Sequence, residues 1–237
     1  MNKVMTWLPA EGRPEQLMLL LHGVGSNAAG MAPLARLVQK EFPQAAIVAP
    51  EGFSPFDGDP TGQARQWFSV QGVTEENRVT RVAEVLPALA DWVHAMQQET
   101  GLGPAATALW GFSQGSIMAL SLVQAHDGIA GRVLAFAGRY PALPDVAPQH
   151  TTLHFFHGSA DTVTPEVHAR AAIERLGELH GDATIDIAEG VGHEINGHLL
   201  QCAILRLRSH IPHRSWAAAM GAVPGLAGRL PAEDEED

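Results

Sequence analysis

The chain has 237 residues, 46% of them hydrophobic and 17% charged, with a formal net charge of −11: an ordinary globular composition, long enough to bury a sizeable core. The acidic balance argues against a nucleic-acid or anionic-membrane partner, and no apolar run approaches the roughly 18 residues that a bilayer span needs. The single cysteine, Cys202, excludes an intrachain disulfide, and with no secretory h-region after Met1 a cytoplasmic location is expected.

From the N-terminus, the first continuous apolar run is Leu17-Met18-Leu19-Leu20-Leu21, ending at His22-Gly23. Continuous rather than alternating hydrophobicity predicts a strand covered on both faces, as in a parallel sheet. A second such strand is predicted over Ala45–Ala49. Glu51 to Gln71 is rich in Gly, Pro, Asp and aromatics and reads as a long surface loop, uncommon without a purpose. Next, Val79, Val82, Leu86, Leu89, Val93 and Met96 recur at three- and four-residue steps, one stripe of a helix over 76–96. Pro87 inside it predicts a kink or a break. A strand over Thr107–Trp110 leads into a helix starting near Ser113 and stopping near Asp127-Gly128. Further strands are predicted over Val133–Ala137 and Leu153–Phe156, a helix over about Glu166–Leu179, an alternating edge strand over Thr184–Ala188, and a last helix over about Asn196–Ser209. Such alternation implies βαβ units: one domain over residues 1–211, with a mostly parallel central sheet and helices on both faces. Residues 212–237 are expected to be a C-terminal extension, partly disordered and ending in the acidic run Glu233-Asp234-Glu235-Glu236-Asp237.

Gly111-Phe112-Ser113-Gln114-Gly115 is a Gly-x-Ser-x-Gly pentapeptide placed between a strand and a helix, the setting of a nucleophile elbow. A serine at so sharp a turn adopts strained backbone angles, and flanking glycines remove the Cβ atoms that would block the close approach. Ser113 is therefore the candidate nucleophile. A serine hydroxyl needs a base, and the base a carboxylate to orient it. Asp161 follows the Leu153–Phe156 strand through His157-Gly158-Ser159-Ala160, at a strand's C-terminal end, where α/β sites are built. Asp182 lies before a strand, at the wrong edge, and Asp186 within one. His193, in Gly190-Val191-Gly192-His193-Glu194, follows the last strand and is the candidate base. His154 and His157 are expected to be packing residues. His193 and His198 are five apart, whereas the helical zinc motif needs four, so no metal site is expected. The oxyanion donors are assigned to the backbone N–H groups of Gln114, which follows the nucleophile, and Val24, between two glycines in the loop after the first long strand.

At these residues the chain resembles the carboxylesterase/phospholipase family of α/β-hydrolases, which includes acyl-protein thioesterases and small bacterial esterases. The matching pieces are Leu-His-Gly-Val-Gly at 21–25, Ala49-Pro50, Gln66-Trp67-Phe68, Gly-Phe-Ser-Gln-Gly at 111–115, His-Gly-Ser-Ala-Asp at 157–161 with Pro165, and Gly-His at 192–193. Ser26-Asn27 stands where the family often has Gly-Asp or Gly-Asn. The resemblance implies ester hydrolysis by Ser113, Asp161 and His193 without a cofactor, and it brings the Trp67 segment near an acyl pocket. Trp67, Phe68 and Met31 are the candidate pocket residues. A short stretch between Ala137 and Thr152 argues against a large lid and for a fairly open site.

The expected partner is a small-molecule ester or thioester, with a homodimer left open. An acyl-thioesterase or lysophospholipase would use the same three residues. A peptidase would need a larger pocket or an extra domain. A non-catalytic binding protein on the same scaffold would normally lose one of the three.

Overall fold

The computed structural model describes residues 3–216. In chain order the elements are β1 (Val4–Trp7), β2 (Gln16–Leu21), α1 (Ala32–Glu41), β3 (Ala45–Pro50), β4 (Ser54–Pro55), β5 (Arg65–Gln66), α2 (Glu75–Thr100), β6 (Thr107–Phe112), α3 (Gln114–Ala125), β7 (Arg132–Phe136), β8 (Thr152–Gly158), α4 (Val167–Glu178), β9 (Ala183–Ala188) and α5 (Gly197–Ser209). Seven strands form one sheet in the order β1-β3-β2-β6-β7-β8-β9. All neighbours are parallel except β1, which pairs antiparallel with β3.

The continuous apolar runs are explained by two cores, one on each face. Successive strand residues point to opposite faces, so Leu17, Leu19 and Leu21 enter one core with residues of α2, α3 and α4. Met18 and Leu20 enter the other, with residues of α1 and α5. Each of those five side chains is at most 3% exposed. The edge strand β9 is only half-buried along most of its length, which is why its sequence alternates.

Besides the two-residue strands β4 and β5, two elements were not predicted. β1 has four residues, with Val4 and Thr6 turned outward, too short a pattern to stand out. α1 buries Ala32, Ala35 and Val38; the apolar residues Met31, Leu34, Ala35 and Val38 recur at three- and four-residue steps, a helical pattern that the sequence reading passed over. Pro87 does not break α2, which runs unbroken from Glu75 to Thr100. Pro87 and Ala83 are both exposed, so water can reach the carbonyl that loses its helical donor. Buried Leu86, Leu89, Ala90 and Val93 anchor the helix around the proline. Thr74 and Asn77 close its N-terminus with a reciprocal capping box.

Residues 51–71 carry the small antiparallel β4–β5 ladder and hydrogen bonds that tie them to the sheet. The described part of the C-terminal extension folds back on the molecule: the His213 N–H lies 3.2 Å from an Asp182 carboxylate oxygen. Residues 217–237, including the acidic run, lie outside the described residues.

The strand order places the functional crevice. From β2 the chain moves outward to β3, and after α2 it re-enters the sheet on the other side of β2, at β6. In open α/β sheets ligands bind outside the carboxyl ends of the strands at such a switch point. The residues that follow β2 and β6 are His22-Gly23 and Ser113.

Candidate active site

Ser113 has φ 52° and ψ −114°, a strained conformation for a residue with a side chain. Its N–H donates to the Phe136 carbonyl at 2.9 Å. Both motif glycines are required sterically. A Cβ on Gly115 would stand 2.0 Å from the Leu21 carbonyl oxygen, and one on Gly111 would stand 2.5 Å from Ser116 backbone atoms. Gly138 is a third: its Cβ would meet that of Ser116 at 2.1 Å. β2, the elbow and the chain after β7 are therefore packed backbone to backbone.

Asp161 has a fully buried side chain. One carboxylate oxygen accepts the N–H groups of Val163 and Thr164 at 2.9 and 2.8 Å. The other lies 2.8 Å from His193 Nδ1. This bond fixes the imidazole with its proton on Nδ1 and leaves Nε2 free to accept one. The His193 ring also packs on Phe112, the residue before Ser113, with centroids 5.0 Å apart. Main-chain contacts hold the two loops in register: Ala160 N–H donates to the Val191 carbonyl and Ser159 N–H to that of Ala188, both at 2.9 Å. A side chain on Gly158 would collide with Val191 O at 2.1 Å.

His157, expected to be only a packing residue, touches this acid. Its Nε2 donates to the Thr164 carbonyl at 2.6 Å and lies 3.4 Å from the Asp161 oxygen that faces His193. His154 is buried within β8 and pairs with Thr184, away from the acid. Asp182 and Asp186 are also engaged elsewhere, with His210 and Arg206 respectively.

The loop after β2 is held from beneath. His22 is buried; its Nδ1–H donates to the Gly23 carbonyl at 2.7 Å and its Nε2 accepts the Gly52 N–H at 2.8 Å. Burial lowers the His22 pKa, as does nearby Arg65, against the opposing Gly23 bond, so the ring is neutral as this pattern demands. Trp67, only 1% exposed, donates its indole N–H to the His22 carbonyl at 2.8 Å. The Gln114 side chain spans the Trp67 N–H and the Phe68 carbonyl, both at 2.8 Å. Trp67 and Phe68 thus support the β2 loop and the elbow from inside the core. A Cβ added to Gly23 would stand 3.3 Å from the Ser113 Cβ, so this loop abuts the nucleophile.

A cavity of about 390 Å³ opens at these groups, with Gly23, Val24, Phe112 and His193 on one side and apolar residues of α1 and its approach on the other. Met31, Leu34 and Leu37 belong to that second wall. Of the three candidate pocket residues, Met31 lines the cavity, and Trp67 and Phe68 do not. Leu34 and Leu37 went unseen because α1 itself was not predicted.

The model of the phospholipase/carboxylesterase family matches residues 6–211. The chain belongs to that family. As a family member it is 45% identical over 212 residues to the Escherichia coli K12 protein named esterase YpfH, covering 89% of this chain and 90% of that one. The crystal structure of esterase PE8 superposes with a TM-score of 0.78 at 28% identity, over 87% of this chain and 98% of PE8. The Bacillus cereus carboxylesterase, 17% identical, shares the fold with a TM-score of 0.71, over 86% of this chain and 92% of that one. Sheet order and relatives together make this family member an α/β-hydrolase, as the sequence motifs implied. Among the described residues, no helix is long and apolar enough to cross a membrane.

Proposed function

We propose that the chain hydrolyses small carboxylic esters by two-step acyl transfer, with Ser113 as nucleophile, His193 as general base and Asp161 as the carboxylate that orients it. The observation that carries this reading is the 2.8 Å bond from His193 Nδ1 to buried Asp161, made beside the strained serine at the sheet's switch point. His193 Nε2 takes the Ser113 proton as Oγ attacks the ester carbonyl. The tetrahedral oxyanion is held by the N–H groups of Val24 and Gln114, each contributing about 2.7–4 kcal/mol to transition-state stabilisation. His193 then gives its proton to the leaving alcohol. Water repeats the sequence on the acyl-enzyme and restores Ser113.

The two backbone N–H groups on the far oxygen of Asp161 keep its carboxylate turned toward His193. The apolar wall of Met31, Leu34 and Leu37 supports binding of the ester's hydrocarbon part beside Val24. The test is labelling with a fluorophosphonate and mapping of the modified residue. Modification of Ser113 alone, abolished in Ser113→Ala, is expected; labelling elsewhere, or full activity of the alanine variant, would overturn the assignment. A p-nitrophenyl ester series with one acyl-thioester then compares ester with thioester turnover at the same serine.

A further inference from the structure

At the opposite end of the sheet from Ser113, two guanidinium groups converge without a carboxylate between them. Arg132 opens β7, and Arg214 belongs to the segment that folds back after α5. Both are half-buried, and both reach the same two neutral acceptors. Arg132 donates to Thr152 Oγ1 and the Gly131 carbonyl, each at 3.2 Å. Arg214 donates to Thr152 Oγ1 at 3.1 Å and lies 3.5 Å from the Gly131 carbonyl oxygen. Arg132 adds only a long contact, 3.4 Å, to the His210 carbonyl. A guanidinium carries five N–H donors, so these five contacts, two of them at 3.4–3.5 Å, leave about half of the ten N–H groups free among the described residues.

The nearest acid is already taken. Asp182 accepts from Thr152 Oγ1 at 2.7 Å, pairs with His210 Nε2 at 2.9 Å and receives the His213 N–H at 3.2 Å. Among the described residues, neither Arg132 nor Arg214 reaches a carboxylate at ion-pair distance. Burial lowers the pKa of Arg132, nearby Arg214 lowers it further, and Asp182 opposes the shift. Two like charges held together in a protein of net charge −11 are unfavourable unless something anionic joins them.

Space for such a group is present. A cavity of about 340 Å³ is lined by Arg132, Arg214, Thr107 and Ser215 on its polar side and by Phe42 and Leu207 on its apolar side. We infer that this cavity is a binding site for a small oxyanion, a carboxylate or phosphate, held by the paired forks of Arg132 and Arg214. Planar guanidinium forks suit such bidentate acceptors. A bound oxyanion would also fasten residues 212–216 to the start of β7 and β8.

The oxyanion can come from solution or from the chain's own acidic run at 233–237. The experiment is thermal unfolding of the full chain in inorganic phosphate, against chloride at matched ionic strength. At a tenfold excess over Kd, phosphate is expected to raise Tm by about 3–6 °C and the rise to saturate. Arg214→Gln should abolish the phosphate-specific rise, and Arg214→Lys, which keeps the charge without the fork, should retain part of it. The same scan is run on a full-length variant with Glu233, Asp234, Glu235, Glu236 and Asp237 all changed to their amides. A larger phosphate effect there identifies the acidic run as a competing occupant; an unchanged effect identifies a solution anion. A phosphate effect no greater than that of chloride, or equal in Arg214→Gln and the unaltered chain, overturns the proposal.

Discussion

Two aspartate–histidine pairs stand at opposite ends of one sheet. Asp161 and His193 are 2.8 Å apart at the carboxyl ends of the strands; Asp182 and His210 are 2.9 Å apart at the other end. Distance and burial hardly distinguish them, since the aspartate side chains are 0% and 9% exposed. Their surroundings do. In the first pair, His193 packs on Phe112, the residue before strained Ser113, and lines an apolar cavity. The second faces Thr152, whose hydroxyl is bound to Asp182, and the guanidinium groups of Arg132 and Arg214. An aspartate–histidine pair is thus only a means of fixing an imidazole, and what the ring can do depends on what stands beside it.

The largest expected effect belongs to Ser113, the nucleophile proposed beside the first pair. Ser113→Ala should lower kcat for a p-nitrophenyl ester by roughly 10⁵–10⁶, with KM nearly unchanged. Asp161→Asn should follow with about a 10⁴ loss, because the amide favours the wrong imidazole tautomer. Steady-state kinetics on both variants, with Asp182→Asn alongside, test whether the two pairs differ as argued. A loss in Asp182→Asn comparable with that in Asp161→Asn would abolish the distinction.

That the two aspartates lie at opposite ends was readable in the sequence, although the pairing of Asp182 with His210 was not. Asp161 follows a strand and Asp182 precedes one, and in a parallel sheet that alone assigns them to opposite ends. The place of Ser113 at a strand-to-helix turn was legible for a similar reason: the pentapeptide stands where an apolar run gives way to a helical pattern. The other side of the cavity was missed. Met31, Leu34, Ala35 and Val38 recur at helical steps, so α1 was legible but passed over in the gap between two strands, and Leu34 and Leu37 were missed with it. Trp67 and Phe68 carried the opposite lesson. The family resemblance brought the Trp67 segment near an acyl pocket, but its polar atoms hold the His22 loop and Gln114. His157 looked like strand packing because nothing local reveals that its Nε2 meets a carboxylate four residues later.

A smaller effect should separate the cavity from the catalytic groups. Leu34→Trp fills part of the apolar wall without touching Ser113, Asp161 or His193. If the ester's hydrocarbon part binds there, displacing about two methylenes at ~0.8 kcal/mol each lowers kcat/KM for longer acyl chains about tenfold. The acetate ester should change less than twofold. A uniform loss across the series would place the chain elsewhere and limit the comparison between the pairs to the residues in direct contact.

The smallest effect on turnover, less than twofold, is expected for Asp182→Asn, whose cost should appear in stability instead. Burial opposes the charged form of Asp182, but hydrogen bonds from Thr152, His210 and the His213 N–H outweigh it and hold the carboxyl below its usual pKa. A depressed folded-state pKa means that the unfolded chain takes up the proton first. The stabilisation is therefore complete above the ordinary aspartate value of about 3.9 and fades as pH falls through the lower folded value. At pH 7 the asparagine variant should be less stable by about 1–3 kcal/mol, or roughly 2–4 °C in Tm per kcal/mol. The gap should stay constant down to about pH 5 and narrow below pH 4. A gap that widened with acid would mean that the Asp182 pKa is raised, and that this pair is held together by something other than its charge.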